Sequence, residues 1–144
     1  MIELEKLDVH HVLAVGAKLQ AAQQLTVHAI DENYARMLIA NKGVAWAVVE
    51  DGETIACGGI AEAWAQRAIA WSMITPRAFR YFRQLHRLVK RVLDESLWAR
   101  IEIDVRADHV AGCRWADHLG FVVEGVRRKY TPDGADMILY ARVK

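Results

Sequence analysis

Six cations, Arg77, Arg80, Arg83, Arg87, Lys90 and Arg91, precede the first acid of their segment, Asp94. Guanidinium forks bind phosphate and carboxylate oxygens in pairs, and a helix N-terminus attracts anions through its unpaired amides. Arg77 and Arg80, in the first turn of a helix, would therefore suit a bound phosphate. The arrangement opposes the helix dipole, at a cost of about 0.3–1 kcal/mol per surface charge. A solvated basic face answered by acids elsewhere in the chain explains the run equally simply. Arginines at 77, 80, 83, 87 and 91 also lie near one helical stripe that could follow a phosphate backbone. Against that reading stand a formal charge of only +1 and the lack of a nucleic-acid motif, so no nucleic-acid partner is expected. A protein partner is the remaining reading, with Trp46, Trp64, Trp71, Trp98 and Trp115 as anchors where they are not core.

Other reactive side chains are scattered. Cys57 and Cys113 form no CxxC pair, so they give neither a disulfide framework nor a zinc set, and both read as reduced, buried, small hydrophobes. His10, His11, His28, His86 and His118 lack metal-ligand spacing, and no metal is expected. The charge is uneven: residues 1–72 hold 5 basic and 9 acidic residues, and residues 73–144 hold 14 and 9.

These residues need a scaffold, and 144 residues with 53% hydrophobic and 26% charged suit one soluble domain, 1–144. No apolar run reaches a bilayer-spanning length of about 20 residues, and the start MIELEKLD is acidic, so a cytoplasmic protein with no membrane partner is expected. Residues 1–7 read as a first strand closed by Asp8 as helix cap. Helical spacing runs from Val9 to about Leu25, and a second helix fits Asp31 to Ala40, ended by Gly43. Val44–Glu50 and Thr54–Ile60 flank Asp51-Gly52, a type I′ hairpin signal. Gly58-Gly59 suggests a bulge or a close backbone approach.

A strand over Arg67–Ile74 follows. Thr75-Pro76 then reads as cap and first residue of a helix running to about Leu97, with an apolar stripe of Phe79, Phe82, Leu85, Val89, Val92 and Leu93. Arg100–Arg106 alternates as a half-buried strand. Val110–Leu119 is a short helix ended by Gly120, and Phe121–Tyr130 with Asp136–Val143 makes a last hairpin, whose edge allows a homo-oligomer. The expected class is α/β of the α+β type: a mixed, mostly antiparallel sheet with helices on both faces, in the order β α α β β β α β α β β.

That order, ending in His109-x-x-Gly112-x-x-x-Ala116-x-x-x-Gly120-Phe121, resembles the GNAT superfamily of acyl-CoA-dependent N-acyltransferases over nearly the whole chain. The resemblance implies acetyl-CoA or CoA as cofactor if the chain is active. It implies pantetheine along Trp71, Met73 and Ile74, and a phosphate at Thr75, Arg77 and Arg80, with His109 near the thiol. General-base candidates are Glu62, Glu102, Asp104 and His109. Two family features are missing. The Q/R-x-x-G-x-G/A phosphate loop is replaced by Ile74-Thr75-Pro76, and proline removes an amide. Alanine stands at 116, where the family often has the tyrosine that protonates the departing thiolate. A closer resemblance is to the small GNAT-like proteins of tailed phages, carried by Gly58-Gly59, a Trp71-bearing strand entering an Arg/Lys-rich helix, and Arg128-Lys129-Tyr130-Thr131-Pro132-Asp133-Gly134. It implies a phage or prophage protein of the host cytoplasm or virion, with a virion or host protein as partner.

Overall fold

The computed structural model describes residues 1–21 and 30–144. The expected end of the first helix near Leu25, the loop before the second helix, and His28 lie outside the described residues. The elements are β1 Ile2–Lys6, α1 Val9–Ala21, α2 Glu32–Ala40, β2 Gly43–Glu50, β3 Glu53–Trp64, β4 Arg67–Ile74, α3 Phe82–Glu95, β5 Arg100–Arg106, α4 Val110–His118, β6 Val122–Arg127 and β7 Met137–Val143. The strands hydrogen-bond in the order β1-β2-β3-β4-β5-β7-β6. β4 and β5 are parallel, registered from Arg67↔Arg100 to Ile69↔Glu102, while β1–β2, β2–β3, β5–β7 and β6–β7 are antiparallel. This is the mixed α/β architecture expected from the element order.

The described residues form two compact units, Met1–Ala63 with Ala70–Arg80, and Trp64–Ile69 with Tyr81–Lys144. In the first, Leu7, Val12, Val15, Leu19, Ala35, Leu38, Ala47, Cys57 and Met73 make one buried cluster. Asp51 and Gly52 both take positive φ, 50° and 78°, the type I′ geometry whose twist suits a tight hairpin. A bulge does occur in β2–β3, but between Val48 and Val49. Gly58 and Gly59 instead sit in regular register opposite Trp46 and Ala45. They are needed for close approach: a Cβ at 59 would run into the Val44 carbonyl, and one at 58 would press on the Trp71 carbonyl.

In the second unit, Ile101, Ala116, Leu119, Phe121, Met137 and Tyr140 are buried. The start of the long helix differs from expectation. Pro76–Tyr81 is a 3-10 segment, the α-helix begins at Phe82 with no side-chain cap, and it ends at Glu95 rather than near Leu97. Thr75 does not cap it, because its hydroxyl donates to the Ile55 carbonyl at 2.6 Å. The turn closes through Ala78 N–H to the Thr75 carbonyl at 3.0 Å, the tighter i to i+3 pattern. Among the described residues no helix is long and apolar enough to cross a membrane.

Candidate functional site

Of the expected ligand residues, six lie in the first unit and His109 in the second. Along β4, Met73 is buried and Trp71 packs against the same cluster, so both side chains serve the core. Ile74 is half-buried and Thr75 fully so. Arg77 and Arg80 follow in the 3-10 segment. Their fates diverge. Arg77 is ion-paired through Nε to Glu50 and through a terminal nitrogen to Glu53, whereas Arg80 is exposed and without an ion pair among the described residues.

The Arg77 cluster follows from the hairpin. The Asp51-Gly52 turn sets Glu50 opposite Glu53, placing two carboxylates side by side, and such a pair requires cations. Glu50 is buried, Lys18 reaches Glu53 and also donates to the Thr54 carbonyl at 3.1 Å. The Lys18 hydrogen bond, with Arg77 nearby, lowers the Glu53 pKa from the usual carboxylate value, and the Glu50 hydrogen bond raises that of Arg77. The sequence reading missed both glutamates. Their adjacency to an Asp-Gly hairpin was the available signal. Chemically, two carboxylates beside Pro76, which has no amide hydrogen, make this turn a poor seat for a pyrophosphate.

The second unit carries the remaining candidates. His109 precedes α4 and makes no side-chain cap bond. Its imidazole occupies the space into which a Cβ at Gly112 would project. Ala116, where the resemblance would place a tyrosine, is 2% exposed and has no proton to give. Glu102 is a poor base: Arg67 binds it through two nitrogens, one at 3.0 Å, Arg100 adds a 2.8 Å bond, and the Arg67 hydrogen bond leads in lowering its pKa to about 2. Asp104 is bonded to Arg127 at 3.0 Å, and Glu62, in the first unit, is ion-paired with Lys42 at 3.4 Å. The Tyr140 hydroxyl lies beside Cys113, and burial first and the thiol second push its pKa up to about 12.

The structure does bring Glu5, His10 and His11 together, their ligand atoms within 4.8 Å of one another, a cluster the sequence spacing had not suggested. Its hydrogen bonds serve to cap α1. The Asp8 N–H donates to His11 Nδ1 at 2.9 Å, which leaves the ring proton on Nε2, donated to Glu5 at 2.7 Å. A metal at Nε2 would need that proton moved to Nδ1, where it would oppose the Asp8 amide.

No family model and no curated protein matches the chain. Solved structures do. The ribosomal-protein-S18-alanine N-acetyltransferase from Escherichia coli matches with a TM-score of 0.77 at 20% identity, covering 99% of this chain and 94% of that one. Ard1 from Thermoplasma volcanium matches at 0.81 and 13% identity, covering 99% and 97%. The acetyltransferase of the GNAT family from Streptococcus pneumoniae matches at 0.72 and 10% identity over 100% of both chains. The chain therefore has the GNAT acetyltransferase fold.

Proposed function

We propose that this chain is a phage-type protein that keeps the acetyltransferase fold but has a dismantled acyl-CoA apparatus, and that it acts by binding a protein partner during virion assembly. The observation that carries the reading is Arg77 held between Glu50 and Glu53. The cation best placed for a phosphate is already neutralised, beside a proline and without the glycine loop. Ala116 removes the thiolate's proton donor, and Glu102 is held ionised by two arginines. The phage assignment is supported by the likeness of the Gly58-Gly59, Trp71 and Arg128–Gly134 segments to the small phage proteins. For a partner, β6 offers an edge strand with Val122, Val123 and Val126 exposed, apolar side chains that a protein surface would cover. Trp64, 61% exposed under the Arg67 guanidinium, is the exposed tryptophan.

A second reading, an N-acyltransferase with a nonstandard phosphate site, is favoured by exposed Arg80 in the turn after β4 and by the activities named for the similar structures. In it, pantetheine would lie along β4 from Trp71 to Ile74. Melting with acetyl-CoA separates the two. An unchanged melting temperature supports dismantling. Since ligand at 100 times its Kd adds about 2.7 kcal/mol, a rise of several degrees would overturn it.

A further inference from the structure

We propose that the exposed face of α3 binds the phosphate backbone of duplex DNA through Arg83, Arg87 and Arg91. These three side chains are exposed, and among the described residues none has an ion pair or hydrogen bond. Arg36, Arg67, Arg77, Arg100, Arg106, Arg127 and Arg142 are each bound to a carboxylate. Although Arg80, Arg114 and Arg128 are also exposed without an ion pair among the described residues, only Arg83, Arg87 and Arg91 share one helix at four-residue spacing. Spaced four residues apart, the three guanidinium groups form one stripe about 12 Å long. Like charges at this spacing repel, and a bound polyanion would relieve that repulsion.

The same face tells against other anionic partners. None of the exposed large apolar residues lies on α3, so an acidic protein would find no anchor for the dry centre of an interface. With no aromatic ring exposed on the helix, a single strand would find nothing on which to stack its bases. A duplex backbone needs neither, because its binding energy comes from neutralised phosphates and released counterions. The footprint is bounded. Lys90 is bonded to Asp94 at 2.8 Å, Asp94 also takes Arg142 at 2.6 Å, and Glu95 closes the stripe.

Near-neutrality of the whole chain is no obstacle once the charges are assigned to units. The unit holding α3 has 13 basic and 9 acidic residues, a net +4, and the other has 6 and 9, a net −3. This inference does not depend on whether CoA binds.

The test is fluorescence anisotropy with a labelled duplex of about two helical turns, titrated at several salt concentrations. Three phosphate contacts give a log–log salt slope of about −2.7, or about 40-fold weaker binding at 200 than at 50 mM salt. Replacing Arg83, Arg87 and Arg91 with Gln abolishes binding, Arg87→Gln alone lowers the slope by about 0.9, and Arg36→Gln on α2 changes nothing. The triple variant melts no lower than the parent, so its loss of binding reports on the face itself. No duplex binding at 50 mM salt, an unchanged slope in the triple variant, or tighter binding of polyglutamate or of single-stranded DNA would each overturn the proposal.

Discussion

The imidazole of His109 fills the space that a Cβ at Gly112 would take. These are the two positions where the resemblance to the GNAT superfamily would place asparagine and alanine, and in the structure they pack against each other. A histidine folded onto the start of α4 leaves room for no side chain three residues later. Substituting Gly112→Ala in a His109→Ala background is expected to stabilise the fold by about 0.4–1 kcal/mol, the usual gain from restricting a glycine. With His109 present the same substitution is expected to cost stability, because the ring must leave its place; Val105 crowds the new Cβ equally in both backgrounds. Denaturant unfolding of the two single variants and the double variant measures this coupling.

Arg77 bridges the Glu50 and Glu53 carboxylates. Arg77→Ala leaves the buried Glu50 carboxylate without this partner and lowers the stability of the fold. The expected result is a lower denaturation midpoint with no change in the response to CoA.

Glu102 gives the fold an acid limit. Its folded pKa of about 2 lies below the value of about 4.3 expected in the unfolded chain. Its contribution is therefore complete above about pH 4.3 and is lost as pH falls from there to about 2. Glu102→Gln should lower stability at neutral pH, and the gap between the two proteins should narrow across that acid window. Urea midpoints measured through the window check the sign.

The two cysteines should separate by reactivity. Burial pushes the Cys57 thiol up to about 12, so with little thiolate and little access it should react with a disulfide reagent much more slowly than an ordinary exposed thiol. Cys113, half-buried with its Sγ 3.8 Å from the Arg106 carbonyl, should be the first to react. Mass spectrometry of the labelled native chain identifies which one does.

The strands were legible because their signals are local. Arg67–Ile74 and Arg100–Arg106 fall as read, the second from strict alternation, and Asp51-Gly52 fixes its hairpin by backbone conformation alone. Helix starts were less so. Thr75-Pro76 has the composition of a cap and first turn, yet the Thr75 hydroxyl is spent on Ile55, twenty residues earlier in the chain. The site was the least legible part. Arg77 lies 27 residues from Glu50 and 24 from Glu53, and no periodicity announces an ion pair across such distances. Likewise, His109 and Gly112 read singly as two losses from a motif. Only their packing makes them one change.

On the proposed reading, the turn after β4 holds no CoA phosphate. Isothermal titration calorimetry of acetyl-CoA into the intact protein decides this. The dismantled site predicts no saturable heat, for the parent and for the Arg77→Ala, Arg80→Ala double variant alike. Saturable micromolar binding by the parent that disappears in the double variant would contradict it.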